Sequence, residues 1–244
     1  YEVLDLGPGE PGSRYRLLID GRWVLGSDHP SDVIDDLFAN VNADTMAVTT
    51  DLVPIHAGAV VAPDGRGVLI PAPSGSGKST LVAALVRAGF GYLSDEAAIL
   101  DPSDGRVLPY PKHLTLKEGT GDPVGRAAPR SDERSLVPAS KWHADPESLR
   151  PGSVAGAAPI GTVIAYRYEP GAPTSRQDIS AAEAVVELGR NLMLARRDLP
   201  RSLDVLARLC RSARAFCLVS GNLEEGVALV VELTRPQPPP TSSA

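Results

Sequence analysis

Aromatic residues and cysteines are scarce in this sequence, and positive charge is not in excess. Aromatic side chains make up 5% of the 244 residues, too few for the stacking platforms that bind nucleic-acid bases. The formal net charge of −6 disfavours broad binding to nucleic-acid backbones or anionic membranes, which requires a basic face. No apolar run approaches the roughly 20 residues that cross a bilayer, and the first residues lack a basic-then-apolar signal pattern. We therefore expect a cytoplasmic protein without nucleic-acid or membrane partners.

Cys210 and Cys217 are the two cysteines of the chain. They lie in an apolar C-terminal stretch with no histidines nearby at the spacing of metal ligands. Small apolar thiols pack well, and a cytoplasmic chain keeps them reduced. We predict that both are reduced core residues.

The chain is long enough for one substantial core, and its 43% hydrophobic and 22% charged residues are typical of a globular protein. Residues 1–50 alternate in short runs, with a helix predicted over 31–39 behind the capping types Ser31 and Asp32, and indicate a small β-rich N-terminal segment. Residues 51–235 are predicted to form the main α/β domain. Residues 236–244, rich in proline and serine, are predicted to be a disordered tail.

Two apolar runs at 57–61 and 67–70, joined by a turn at 63–66, predict a hairpin that leads into a glycine-rich loop. A helix over 79–88, ended by Gly89, follows the loop. The proline- and glycine-rich stretch 102–159 predicts loops and short strands suited to substrate contacts. The remaining predicted elements are strands at 91–93, 97–100, 160–168 and 215–220, helices at 180–195 and 202–213, and a helix or strand at 227–233.

The loop itself matches the Walker A pattern in its broader form. Residues 67–80 read Gly-Val-Leu-Ile-Pro-Ala-Pro-Ser-Gly-Ser-Gly-Lys-Ser-Thr, with Ala72 where glycine is commonest. Gly75 and Gly77 allow tight turns that bring backbone N–H groups against phosphate oxygens, and the positive end of the next helix favours the anion. Lys78 would reach the β- and γ-phosphates, and the Ser79 hydroxyl would bind Mg²⁺. The predicted nucleotide-binding residues are Ser74, Gly75, Ser76, Gly77, Lys78, Ser79 and Thr80.

Two acidic residues, Asp95 and Glu96, follow a predicted strand about 16 residues after Lys78. One carboxylate of such a pair accepts the proton of an attacking hydroxyl while the other lies near the metal or its waters. A solvated turn explains an isolated acidic pair equally well, but the nearby loop favours a catalytic role. His56 begins the strand pair before the loop. A lone histidine is usually structural, although the hairpin would bring this one towards the acids.

These features together resemble the catalytic domain of bacterial HPr kinase/phosphorylase and its shorter homologues, in which a histidine, a phosphate loop and an acidic pair occur in this order and at similar spacing. The resemblance covers residues 55–101 and rests on 56–60, 72–80 and 89–96. It implies an α/β P-loop kinase fold with a strongly bent mixed sheet like the nucleotide domain of phosphoenolpyruvate carboxykinase, and members of the family often form homo-oligomers. It also implies that Asp95 is the general base, supported by His56 and Glu96, and that Ser79 and Glu96 hold Mg²⁺.

The sequence departs from the family after the acidic pair. The Glu-Arg/Ile-Arg-Gly segment of bifunctional members is replaced by residues 108–117, and Glu118 is a weak counterpart of its metal-binding glutamate. The resemblance therefore does not extend to phosphorylase activity or to HPr as the substrate. His113 and His143 have no identifiable partners. Basic residues that either contact phosphate or an acidic substrate, or lie in solvated loops, are Lys112, Lys117, Arg126, Arg130 and Arg134.

We predict an ATP- and Mg²⁺-dependent kinase that transfers the γ-phosphate to a serine or threonine hydroxyl of a peptide or protein, such as a natural-product precursor peptide. Two alternatives use the same loop. One is a kinase for a small hydroxyl compound such as free serine, a sugar or a nucleoside. The other is a nucleotide-dependent binding or regulatory module that has no acceptor.

Overall fold

The computed structural model describes residues 1–7, 14–48, 51–117, 141–193 and 199–235, which divide into two compact units. The first unit contains residues 1–7, 14–48, 115–117 and 141–144. The second contains 51–114, 145–193 and 199–235. The predicted tail at 236–244, Glu118 and three of the candidate arginines, Arg126, Arg130 and Arg134, lie outside the described residues.

The described residues form strands, often in consecutive runs, and helices between them. The strands are β1 (Glu2–Asp5), β2 (Tyr15–Ile19), β3 (Arg22–Ser27), β4 (Val53–Val61), β5 (Gly67–Pro71), β6 (Gly91–Ser94), β7 (Ala97–Leu100), β8 (Arg106–Leu108), β9 (Leu114–Lys117), β10 (Lys141–Ala144), β11 (Ala158–Tyr168), β12 (Ser175–Asp178) and β13 (Arg214–Ser220). The helices are α1 (Pro30–Val48), α2 (Lys78–Arg87), α3 (Pro146–Leu149), α4 (Ala181–Arg190), α5 (Leu199–Ser212) and α6 (Leu223–Leu233).

The first unit contains an antiparallel sheet in the order β1-β2-β3, the helix α1 and the paired strands β9 and β10. Asp20 and Gly21, both with positive φ, join β2 to β3 as a two-residue turn, the type that matches the twist of a hairpin. Helix α1 begins at Pro30, and proline is favoured at the first helical position. It continues nine residues beyond the predicted 31–39, because residues 40–48 contain neither glycine nor proline to end it.

The second unit is built on a mixed sheet in the order β12-β13-β11-β5-β4-β7-β8, with β6 also paired to β4. Strands β5, β11 and β13 are parallel, whereas β4 is antiparallel to β5, β6 and β7. The unit is thus mixed α/β, as the sequence predicts, with a mixed sheet, as the resemblance implies. The predicted hairpin before the glycine-rich loop is confirmed as β4 and β5.

Two long strands bend this sheet. Strand β4 pairs with β7 through residues 53–56 and with β5 and β6 through residues 57–61. Strand β11 pairs with β8 at its start and with β5 and β13 farther along. Because each long strand changes partners along its length, the pairings form a closed circuit through β4, β5, β11, β8 and β7. The sheet therefore curves strongly along this circuit of strands.

The hydrophobic core lies on one face of β4 and its neighbours. Alternate residues of β4 point into it, as the two-residue period of a strand requires, and α4 and α5 contribute apolar side chains to the same cluster. Its members include Val53, Ile55, Ala57, Ala59, Leu69, Val163, Leu188 and Leu206. The other residues of β4 face α2, which also packs against α6. Among the described residues, no helix is long and apolar enough to span a membrane.

Several predicted boundaries in the second unit are corrected. The helix predicted over 180–195 ends at Arg190, and Leu192 instead bridges to Ile55 of β4. Residues 227–233 belong to the helix α6, which Asn222 caps by accepting a hydrogen bond from the Glu225 N–H. Strands β1 and β12 were not predicted, because each has only four residues and all of them are exposed, so neither shows a buried face. Both cysteines are free, but only Cys210 is fully buried, so the core prediction for Cys217 is wrong.

Candidate active site

The glycine-rich loop leaves the end of β5, whose five residues are all buried, and enters α2 at Lys78. Gly75 and Gly77 have φ angles of 83° and 81°, a region that side chains other than glycine rarely adopt. Gly77 is the N-cap of α2 and provides no side-chain cap, so the N–H groups of the first turn remain available for an anion. The strand, the loop and the helix follow one another as the motif predicts.

The Ser76 hydroxyl adds a second observation. Its oxygen is buried and has no hydrogen-bond partner within the described chain. A buried polar atom without a partner costs free energy, and such atoms are uncommon in native structures. A phosphate oxygen bound in the loop would provide the missing partner. A buried hydroxyl without a protein partner is a feature expected of a loop that binds an anion.

The side chains of Lys78 and His56 are in contact beside this loop. The Lys78 Nζ lies 3.0 Å from His56 Nε2 and 3.4 Å from the Ala72 carbonyl oxygen. Strand periodicity explains the meeting, because His56 and Gly58 lie on the face of β4 opposite the core residues and thus face α2. Gly58 lets the helix approach closely: a Cβ there would lie 2.7 Å from Val82 Cγ2 and 3.3 Å from Lys78 Cγ.

The electrostatics of this pair suit a site that binds an anion. Burial, and then the Lys78 ammonium, lower the pKa of His56, so its imidazole is neutral near pH 7 and Nε2 accepts from Lys78. Burial also lowers the pKa of Lys78, against the opposing effect of Asp95 and Glu96. A nucleotide phosphate would provide the negative charge that stabilises this buried ammonium.

The acidic pair occupies the turn between β6 and β7. Ser94 is buried, and its Oγ accepts hydrogen bonds from the backbone N–H groups of Glu96 and Ala97 at 3.2 and 3.0 Å. This arrangement fixes the turn that carries the two acids. The Glu96 carbonyl also accepts from the Ala57 N–H at 3.1 Å, which ties the turn to β4 beside His56.

Two further side chains complete the cluster around Asp95. The Tyr92 hydroxyl lies 3.2 Å from Asp95 Oδ1 and 3.0 Å from the Lys112 carbonyl. The Lys112 Nζ lies 3.1 Å from both Asp95 Oδ1 and Glu96 Oε2. Burial opposes the charge of Lys112, but Asp95 and Glu96 outweigh it and raise the pKa of Lys112. Burial, and then Asp95, raise the pKa of Tyr92, which keeps the phenol protonated as a donor.

Strand order explains why these groups share one place. The middle of β4 lies beside the end of β5, because the two strands are antiparallel and Ala57 pairs with Pro71. The end of β6 lies on the other side of β4, where Ser94 pairs with Ala59. The ends of β5 and β6 therefore lie on either side of the middle of β4. This part of the sheet carries His56, the loop with Lys78, and Asp95 with Glu96.

Most of the predicted residues thus come together. Two neighbouring basic residues, however, have different surroundings. Lys112 belongs to the cluster, whereas His113 is exposed. In the first unit His143 does have partners: its Nε2 lies 3.3 Å from Asp35 Oδ1, and its Nδ1 lies 3.3 Å from Thr115 Oγ1. Tyr92 was not predicted. The signal for it was a phenol within the buried strand β6, because a buried phenol needs a hydrogen-bond partner.

The donor set for a metal ion is sparse. No group of three or more histidine, cysteine or acidic side chains with metal-binding geometry occurs among the described residues. Mg²⁺ commonly uses one or two protein carboxylates together with substrate phosphates and waters. The Ser79 hydroxyl at the start of α2 and the partly exposed Glu96 carboxylate fit that requirement. Ser79 and Glu96 would therefore hold Mg²⁺ together with a bound nucleotide.

Two open clefts of about 310 and 300 Å³ lie elsewhere on the second unit. One is lined by Arg66, Arg214 and Arg235 among others, and the second by residues near Pro102 and Arg208. Neither contains a residue of the candidate site. Backbone N–H groups at a helix N-terminus bind phosphate without a deep cavity, so the chemistry of the cluster locates the site better than cleft volume does.

Comparison with solved structures gives a distant likeness. No family model and no curated protein matches the sequence. Among solved structures, the chain is similar to the Hpr(Ser) kinase/phosphatase from Coxiella burnetii, with 12% identity over 75% of this chain and 93% of that chain and a TM-score of 0.33. A likeness this distant does not assign the chain to a family.

Proposed function

We propose that the protein is an ATP- and Mg²⁺-dependent kinase that transfers the γ-phosphate to a serine or threonine hydroxyl of a peptide or protein. One observation carries the proposal: the phosphate loop with its lysine and the acidic pair follow two strands that end on either side of the middle of β4. The carboxylates are close enough to Lys78 to oppose the loss of its charge on burial. Transfer to a hydroxyl needs a proton acceptor beside the terminal phosphate, and a buried carboxylate next to the loop can take that role.

The residues divide the reaction among them. The N–H groups of residues 75–79 would bind the β- and γ-phosphates, and Lys78 would turn from His56 to the phosphate oxygens. Bound Mg²⁺ would neutralise charge on the phosphates. The acceptor hydroxyl attacks the γ-phosphorus, a new P–O bond forms, the bond to the ADP oxygen breaks, and the hydroxyl proton passes to Asp95. His56, once released by Lys78, remains beside the site as a neutral hydrogen-bonding group.

The burial of Asp95 favours a slender acceptor. Its side chain is almost fully covered, whereas that of Glu96 is partly exposed. A primary or secondary alcohol on a short stem reaches such a carboxylate more readily than a phenol. This fits serine or threonine in a peptide, and equally a small hydroxyl compound, which is the second candidate substrate class.

The test replaces Asp95 by asparagine, which keeps the shape and removes the basicity. Labelled ATP is incubated with serine- and threonine-containing peptides and with free serine, and the phosphorylated species are identified by mass. We expect Asp95→Asn to lower phosphate transfer by about 10²-fold or more while ATP affinity is retained. Asp64→Asn is the matched control, because Asp64 lies in the exposed turn between β4 and β5 and should not affect transfer.

Lys78→Ala separates nucleotide binding from transfer. We expect it to weaken ATP binding strongly, since it removes the one charged group of the loop. Unchanged ATP binding in Lys78→Ala would refute the phosphate-loop assignment. Full transfer by Asp95→Asn would refute Asp95 as the base. ATP binding without transfer to any hydroxyl compound would favour the regulatory module.

A further inference from the structure

Lys112 makes a close charged contact with each member of the acidic pair. Its single ammonium group lies 3.1 Å from Asp95 Oδ1 and 3.1 Å from Glu96 Oε2. One cation thus bridges two carboxylates that are adjacent in sequence and would otherwise repel each other. This is the position at which a metal ion would also be attracted.

The main chain around Lys112 is fixed to the strand that carries the acids. The Tyr110 N–H donates to the Leu93 carbonyl at 2.9 Å. The Tyr92 hydroxyl lies 3.0 Å from the Lys112 carbonyl. Lys112 is therefore held at its backbone as well as at its ammonium, unlike a lysine on a solvated loop.

Burial makes the contact between Lys112 and Asp95 energetically important. The Lys112 side chain is 23% exposed and that of Asp95 only 2%, whereas that of Glu96 is 36% exposed. A buried carboxylate without a cation is costly, so removal of one partner from such a pair is far more disruptive than removal of a surface charge. The exposed Glu96 can exchange its partner more easily than Asp95 can.

We propose that Lys112 is a positioning residue of this site: its ammonium holds Asp95 and Glu96 in place in the nucleotide-free protein and competes with a divalent cation for the same carboxylates. The role in transfer rests on the proposed function, but the competition does not. Lys112 keeps the acidic pair from trapping a metal ion before the nucleotide arrives. When nucleotide and metal bind together, the metal takes Glu96, and Lys112 keeps Asp95 aimed at the acceptor.

The competition is measured on nucleotide-free protein with Mn²⁺, whose binding is followed by its electron paramagnetic resonance signal and by calorimetry. We expect Lys112→Met to bind Mn²⁺ at least about tenfold more tightly than the unaltered protein, because a cation about 3 Å from both carboxylates has been removed. Lys112→Arg should restore the weak binding. Lys112→Met combined with Glu96→Gln should lose the gained site.

The matched control is Arg167→Met. It breaks another lysine- or arginine-to-carboxylate pair of the second unit, Arg167 to Glu169 at 3.3 Å, with both side chains well exposed. It should leave Mn²⁺ binding unchanged. If Lys112→Met does not fold, Lys112→Gln takes its place, because the amide is neutral but still donates a hydrogen bond.

Transfer assays then test the positioning role. We expect Lys112→Met to lower kcat about a hundredfold through misplacement of Asp95 with the KM for ATP nearly unchanged, and Lys112→Arg to recover most of the loss. Equal Mn²⁺ affinity in Lys112→Met and the unaltered protein would overturn the competition. An unchanged kcat would overturn the positioning role. If neither the unaltered protein nor any variant transfers phosphate, the proposed function fails. The Mn²⁺ titration still decides the competition in that case.

Discussion

Gly58 offers a direct test of how the fold places the phosphate-loop lysine. This residue lies on β4 where α2 approaches the sheet, two residues after His56. We predict that Gly58→Ala destabilises the second unit and weakens ATP binding, because the added methyl group enters the contact between β4 and the first turns of α2.

The structure gives the size of the effect. The new Cβ would lie 2.7 Å from Val82 Cγ2 and 3.3 Å from Lys78 Cγ. Carbon atoms in good contact are about 3.5 to 4.0 Å apart, so strand and helix must separate by roughly 1 Å. Overpacking of this kind costs about 1 to 3 kcal/mol. A shift of that size at Lys78 also moves its ammonium relative to the loop, and we expect ATP affinity to fall about tenfold or more.

Urea unfolding and fluorescence titration with a labelled ATP analogue measure the two effects. Gly156→Ala is the matched control, because a Cβ at Gly156 has no atom within 4 Å. It should leave ATP binding unchanged and stabilise the protein by at most about 1 kcal/mol through the unfolded chain. Each variant is compared with the unaltered protein under the same conditions.

A second substitution tests the cause. Val82→Ala removes the methyl group that the new Cβ would strike, so Gly58→Ala and Val82→Ala together should destabilise the protein less than the sum of the two single changes, by about 1 kcal/mol. Strict additivity, or a Gly58→Ala protein with full stability and full ATP affinity, would refute the reasoning. The helix would then reach its position without help from this glycine.

Two other predictions concern buried polar groups. Tyr92→Phe removes the hydroxyl that lies 3.2 Å from Asp95 Oδ1 and 3.0 Å from the Lys112 carbonyl, and we expect a loss of about 1 kcal/mol in the free energy of unfolding. Urea unfolding measures the loss, and unchanged stability would mean that this hydroxyl contributes nothing to stability. Burial raises the pKa of Cys210 to about 11, so at pH 8 its thiolate fraction is minute and iodoacetamide should modify the partly exposed Cys217 first. Peptide mass mapping checks this order, and equally fast labelling of Cys210 in folded protein would contradict it.

Much of the fold around the site was predictable because local signals there agree. An apolar strand, two glycines that require positive φ, and a helix stopped by Gly89 follow one another within residues 67–89. The helix end is a hydrogen-bonded motif in which the Gly89 and Phe90 N–H groups donate to the Val86 and Leu85 carbonyls. Each of these features depends on neighbours a few residues away, and such features can be recognised from sequence.

Features that depend on distant partners were harder to predict. The end of α4 at Arg190 is set by the bridge of Leu192 to Ile55, more than 130 residues earlier. Strand β12 has four exposed residues and exists because β13 offers it an edge. Lys112 could be named as a candidate, but its bridging of both acids depends on the Tyr92 hydroxyl and on the path of residues 109–112. No local pattern contains that information.

Residues of β4 alternate between the hydrophobic core and the candidate site, so the same strand serves both. Val53, Ile55, Ala57 and Ala59 face the core, and this places His56 and Gly58 on the face against α2. A slip of one residue would turn His56 into the core and place an apolar side chain against Lys78, so the apolar residues fix the position of the polar one. The site needs a histidine and a glycine two positions apart on the strand before the loop. The buried residues on the other face of β4 fix this register, so the strand that contributes to the core also positions the lysine.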